Sequence, residues 1–197
     1  MPVLIVDAGH GGEDGGAVAP DGVLESDINL DIALRLEALA HFWGVDTRMT
    51  RRTESIEYPA SAQTLAAKKK ADQSARLELI HDTPGAILIS IHQNNYPAVS
   101  PHGIQVFYGT EPRSAVLAEV MQKNLTDSLC PENRRVAEPI DEGIFLMRRA
   151  DCPAVLVECG FLSNPDELEK LESDSYRMEL AEVMLASFMQ YVRGTTI

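Results

Sequence analysis

The chain reads as a single α/β domain: a mostly parallel, twisted sheet with helices on both faces. Three observations carry this expectation. Apolar runs of strand length alternate with longer segments of helical period. The strand-like runs VLIV, AILISI and AVLV are almost continuously apolar, as strands covered on both faces should be. At 197 residues the chain suits one domain and is long enough to bury a core without disulfide staples. No internal repeat, low-complexity stretch or linker marks a second domain, so residues 1–197 are taken as one unit without an attached binding module.

Residues 3–7 are the first predicted strand. Ile28, Ile32, Leu36, Leu39 and Trp43 then fall on one helical face, with Ser26 or Asp27 as the cap and Gly44 just past the end. Residues 45–50 read as a second strand and 51–62 as a polar loop around Tyr58-Pro59. A helix over about 64–81 carries the run Lys68-Lys69-Lys70 as a solvated face. The turn Thr83-Pro84-Gly85 leads into a strand at 86–92, the most strand-like run in the chain. Beyond it the pattern predicts a strand at 103–108, a helix at 113–129, an irregular charged stretch at 131–143 and a short strand at 145–147. A buried strand at 154–158 follows. Asn164-Pro165 opens a helix at 165–171, and a long helix over 175–192 closes the chain.

Composition narrows the partners. Seventeen basic residues against 30 acidic ones give a formal net charge of −13. A field of that sign repels nucleic acid and anionic membrane surfaces, so neither is expected as a partner, and an anionic substrate must be held by local chemistry. Cys130, Cys152 and Cys159 are an odd number, widely spaced and without a CxxC pair, which suits small buried hydrophobes better than a disulfide framework or a zinc knuckle. No apolar run approaches membrane-spanning length, and no signal peptide is recognisable. Either the protein works in the cytoplasm or its export signal lies outside this sequence.

In open α/β sheets, functional groups gather beyond the carboxyl ends of the strands. Three such ends carry polar residues here: His10 in the loop GHGG, His92 after ILISI, and Glu158 after AVLV, while Glu25 stands at the mouth of the first helix. Each has a bland alternative. His10 could be a hydrogen-bonded turn residue, and Glu25 a first-turn carboxylate favoured by the helix dipole. The glycines could form a tight turn or cradle a phosphate, but they lack both the GxGxxG spacing and the GK[ST] ending. Glu158 is harder to dismiss, because a carboxylate ending an apolar strand is costly unless paired or functional. Taken together, two histidines and a carboxylate at one rim match a catalytic zinc site with an open position for water, leaving Glu158 as general base. His41, His81 and His102 sit on helices or in a loop and are left as structural. Cys159 should point to the face opposite Glu158, against a cysteine nucleophile.

The blocks VDAGHGGEDGGAV, GVLESDINLDIALRL, ISIHQN and PAVLVECGFLSNPDE, in that order, resemble the zinc-dependent N-acetylmuramoyl-L-alanine amidases often called type-3 amidases, over nearly the whole chain. Ala8 and Gln93 stand where that family usually has proline and alanine, the second widening one side chain near the metal. The resemblance implies Zn2+ held by His10, Glu25 and His92, Glu158 as the catalytic carboxylate, a structural role for Arg76, and Asn94 as a substrate-binding residue. It implies hydrolysis of the amide between N-acetylmuramic acid and L-alanine in peptidoglycan, with Gly9, Gly11 and Gly12 leaving room around His10 for a glycan strand.

A narrower similarity, through TESIEYPASAQTLAAKKKADQSARLELI, GIQVFYGT and CPENRR, points to the germination-specific amidases of spore-forming bacteria. It implies a role in cortex maturation through muramic-δ-lactam formation and an extracytoplasmic location in the wall or spore cortex. The charge of −13, with no wall-binding module in the sequence, suggests weak binding to glycan alone and hence an activating protein partner. Residues 96–102 leave no room for the autoinhibitory helix of some cell-division amidases. A phage or vegetative wall lysin, a zinc peptidase or aminoacylase acting on free peptides, and a non-catalytic wall-binding domain are the rival expectations.

Overall fold

A computed structural model of the chain describes residues 2–195. Six strands form one sheet: β1 (Val3–Ala8), β2 (Thr47–Met49), β3 (Ala86–Asn94), β4 (Gln105–Tyr108), β5 (Glu138–Pro139) and β6 (Ala154–Phe161). Their spatial order is β2-β1-β3-β6-β4-β5. β2, β1, β3 and β6 run parallel, β4 is antiparallel to β6, and β5 pairs parallel to β4. The predicted α/β class and mostly parallel sheet therefore hold.

Strand alternation divides the core in two. Leu4, Val6, Ile87, Ile89, Val155 and Val157 face α1 (Glu25–Phe42), α3 (Ser114–Leu129) and α6 (Asp174–Thr195). Ile5, Leu88, Ala154 and Leu156 face α2 (Leu65–His81) and the short α4 (Phe145–Arg149). Continuous apolar strands are thus the sequence mark of a sheet covered on both sides. Helix α5 (Pro165–Glu172) starts as predicted: Asn164 Oδ1 accepts from the Asp166 and Glu167 amides at 3.0 and 3.2 Å, with proline in the first turn.

Three local expectations fail. Helix α1 begins at Glu25, and its N-cap is Leu24 rather than Ser26 or Asp27. The amides of Glu25 and Ser26 donate to the carbonyls of Ala17 and Gly15 at 2.9 and 3.1 Å, so loop carbonyls replace a side-chain cap. Trp43 does not join the buried helical face. It is the C-cap of α1, 62% exposed, and packs edge-to-face on Phe42. Residues 145–147 are helical, not a strand. Both edges of β6 are occupied by β3 and β4, and the free edge of β4 is occupied by β5, inside the stretch expected to be irregular. Helix α4 instead packs Leu146 and Met147 on the α2 face of the sheet. The three cysteines are free, with Cys152 and Cys159 buried.

Candidate metal and catalytic site

Strand β1 ends at Ala8, and the chain turns back through Gly9-His10-Gly11-Gly12. His10 takes φ 58, the left-handed region that glycine usually occupies. Two arginines hold this turn by its carbonyls. Arg76, buried on α2, donates to Ala8 O and His10 O at 2.7 Å each and to Asp7 Oδ1 at 2.5 Å. Arg51 donates to Ala8 O at 3.0 Å, Gly9 O at 3.1 Å and Ser26 O at 2.7 Å, tying the turn to the start of α1. Asp7 also accepts from the Ser90 hydroxyl at 2.5 Å. Burial opposes its charge, but Arg76 and Ser90 outweigh that and hold the carboxyl below its ordinary range.

Register then brings the functional side chains together. His92 on β3 lies directly beside Glu158 on β6, on the same face of the sheet. Glu25 reaches the same rim from the first turn of α1. Its Oε2 accepts from the Ala17 amide at 2.9 Å, and its Oε1 from the Gln93 amide at 3.1 Å and the Asn29 amide group at 3.4 Å. The imidazoles flank it, with His10 Nε2 at 3.4 Å from Oε2 and His92 Nδ1 at 3.1 Å from Oε1. One ligand atom each from His10, Glu25 and His92 lie within 4.8 Å of one another. The second nitrogen of His10 donates to Asp14 Oδ2 at 3.0 Å, which fixes the ring and leaves Nε2 toward Glu25.

The glycines serve this packing. A Cβ on Gly9 would lie 2.4 Å from the His92 ring, and one on Gly16 would lie 2.5 Å from Glu25 Oε2 and 2.8 Å from the His10 ring. Side chains at Gly11 and Gly12 would strike Arg51 and Tyr58. The expectation that these glycines clear a path for a polymer is therefore corrected: the space is filled by the protein's own side chains. Gln93 also departs from its expected place. It points away from the rim, and its Nε2 donates to Asn29 Oδ1 at 3.1 Å behind Glu25.

The electrostatics split the two glutamates. Burial opposes the charge of Glu25, but both imidazoles outweigh it, so its pKa lies far below normal. Burial likewise opposes charge on His10, yet the Glu25 and Asp14 carboxylates hold its pKa up to about 9. At Glu158 burial prevails over the attraction of the two imidazoles. Its Oε2 is buried without a hydrogen-bond partner, and burial pushes its pKa up to about 7. Two imidazoles, a carboxylate held ionised and an orphaned buried carboxylate oxygen nearby fit a divalent transition cation with a base beside it. Cys159 points the other way, into the α1 side of the core, and burial pushes its thiol pKa up, which fits no nucleophile.

These residues line a cavity of about 390 Å³, which Asn94 and Lys69 also border. His41, His81 and His102 lie outside it. Arg51, Asp7 and Asp14 went unnoticed in the sequence. For Asp14 the only signal is an acid four residues after His10 in a glycine-rich turn.

A family model described as N-acetylmuramoyl-L-alanine amidase matches residues 4–188. The chain belongs to this amidase family. Among curated relatives, the germination-specific N-acetylmuramoyl-L-alanine amidase of Bacillus subtilis (strain 168) is 33% identical over 190 residues, covering 96% of this chain and 79% of the relative. The N-acetylmuramoyl-L-alanine amidase LytC of the same organism is 28% identical over 96% of this chain, which spans 35% of LytC. Among solved structures, the CwlD amidase from Clostridioides difficile in complex with the GerS lipoprotein is 32% identical. It superposes with a TM-score of 0.93 over 98% of this chain and 99% of that one. This amidase thus shares fold and family with enzymes acting on peptidoglycan, and it carries at its strand ends a site able to hold a metal ion.

Proposed function

We propose that this amidase is zinc-dependent and cleaves the amide joining the lactyl group of N-acetylmuramic acid to L-alanine. His10, Glu25 and His92 would hold the zinc, and Glu158 would be the proton-transfer residue. Bound zinc supplies Lewis-acid polarisation of the carbonyl and acidification of water, from a pKa of 15.7 to about 7 in favourable sites. The observation that carries the reading is Glu158 Oε2, buried and unpartnered beside the three-ligand cluster. A carboxylate in that state accepts a proton readily near neutral pH. It takes one proton from the attacking water, whose oxygen bonds to the lactyl carbonyl carbon. It returns the proton to the nitrogen as the C–N bond breaks, so the products are a free lactyl carboxyl and the amino group of L-alanine. Asn94, at the cavity wall, is proposed to contact substrate.

The likeness to the germination-specific amidase supports the finer assignment: action outside the cytoplasm on spore-cortex peptidoglycan, preparing muramic acid for δ-lactam formation. A lipoprotein partner belongs to this proposal, because the CwlD amidase occurs in complex with one. Residues 1–197 are proposed to form one amidase catalytic domain.

The deciding experiment pairs metal analysis with mass spectrometry of digested cortex and vegetative peptidoglycan. Glu158→Gln should keep stoichiometric zinc and lose about 10²–10⁴ in rate, whereas His92→Ala should lose the metal. An active Glu158→Gln protein overturns the base assignment. Free amino-acid termini without free muramoyl carboxyls would make the protein a peptidase instead. Equal digestion of both peptidoglycans would remove the cortex assignment.

A further inference from the structure

The run Lys68-Lys69-Lys70 is not simply a solvated face. Lys68 pairs with Glu13 and lies 5.4 Å over the Tyr58 ring, folding down on the glycine turn. Lys69 reaches Asp14 Oδ1 at 2.8 Å and borders the site cavity, with 45% of its side chain still exposed. The neighbouring Asp14 oxygen is the one that accepts from His10 Nδ1. The ammonium therefore stands one carboxylate and one imidazole away from the ligand cluster. Along that path the distance is at most about 10 Å, which three extended peptide residues span.

The charges around the cavity make this lysine distinctive. Asp7, Asp14, Glu25, Asp72 and Glu158 border it, and apart from the two imidazoles the described basic side chains lining it are Arg76 and Lys69. Arg76 is buried, and its donors are committed to Asp7, Asp72 and the carbonyls of Ala8 and His10. Lys69 has three donors and gives one to Asp14. A stem peptide carries free carboxylates beyond the scissile amide, and a protein of net charge −13 cannot attract them at long range. We infer that Lys69 is a specificity residue that receives a free carboxylate of the stem peptide, tethered at the cavity mouth by Asp14. The inference rests on the amidase reading above.

The test compares two synthetic muramoyl peptides that differ in the second stem residue, one with a free carboxylate and one with the carboxamide. Wild-type protein should favour the acid in kcat/KM by about five- to tenfold, the range of one charge-assisted, partly screened contact. Lys69→Met should bring the ratio to about one, and Lys69→Arg should restore the preference for the acid. The inference is overturned if wild type shows no preference, or if the ratio persists in Lys69→Met. It is equally overturned if Lys69→Met slows both substrates alike and lowers metal content, because Lys69 would then act only through Asp14 on His10. Wild-type protein releasing no lactyl carboxyl from either substrate removes the amidase reading, and this inference with it.

Discussion

His10 is fixed from three directions: Arg76 on its carbonyl, Asp14 on Nδ1, and Glu25 facing Nε2. The same carboxylates that orient the ring also raise its pKa, so a metal must displace a proton to bind there. The sign follows directly. In the metal-free protein the raised pKa contributes stability that is fully present below pH 6.5 and lost as pH rises through about 9. Metal affinity should run the opposite way, strengthening by up to about tenfold per pH unit until pH 9, measured by chelator competition. Asp14→Asn weakens the support for the imidazolium and should shift that rise to lower pH. At Gly9 the steric demand decides. Gly9→Ala places a methyl 2.4 Å from the His92 ring, so metal content by elemental analysis should fall well below stoichiometry while the far-UV circular dichroism stays native. Sequence reasoning found His10, but it could not see what each glycine faces.

Strand β1 delivers His10 to the rim, and the buried Arg76–Asp7 pair holds the end of that strand against α2. Truncating one member of a buried ion pair leaves the other charge uncompensated. Arg76→Met should therefore cost about 3–5 kcal/mol in denaturant unfolding, and adding Asp7→Asn should recover part of the loss. A double variant no more stable than the single one would show that Arg76 matters chiefly for the carbonyls of the turn. The strands and long helices were legible because each carries several residues of one period. Short elements were not. Residues 145–147 have an apolar triplet compatible with either state, and only the folded molecule shows Leu146 and Met147 packing as a helix on the α2 face of the sheet. The start of α1 escaped for a similar reason: its cap comes from Ala17 and Gly15, whose approach is a property of the folded loop.

Across the whole molecule, 30 acidic residues surround a sheet whose rim must keep some carboxylates charged and one neutral-prone. Asp7 has a folded pKa below its ordinary 3.8. Its contribution is thus fully present above pH 3.8 and disappears as pH falls through the lower folded value. Acid unfolding followed by tryptophan fluorescence should begin below pH 4, and Asp7→Asn should make the stability of the protein less dependent on pH across that interval. An unchanged acid profile in Asp7→Asn would assign the transition to other carboxylates. No helix among the described residues is long and apolar enough to cross a membrane. The chain spans 79% of the germination-specific relative and 35% of LytC, so what differs among these amidases includes chain outside the shared catalytic fold.

Periodicity and chemical type are properties of short stretches, and the sequence by itself determined whatever depends on them. Those are the α/β class, the strand ends bearing His10, His92 and Glu158, and the family resemblance. The tertiary structure decided what depends on approach between distant segments. It set Glu158 beside His92 by strand register, put Asp14 behind His10, and closed two arginines on the glycine turn. It also brought Lys69 to the cavity mouth, where the sequence had suggested a solvated run. The reason is physical: a charge or a glycine acquires its role from the atoms within a few ångströms, and in this fold those atoms come both from the same turn, as Asp14 behind His10, and from segments far along the chain, as Arg51 and Arg76 on the carbonyls of that turn.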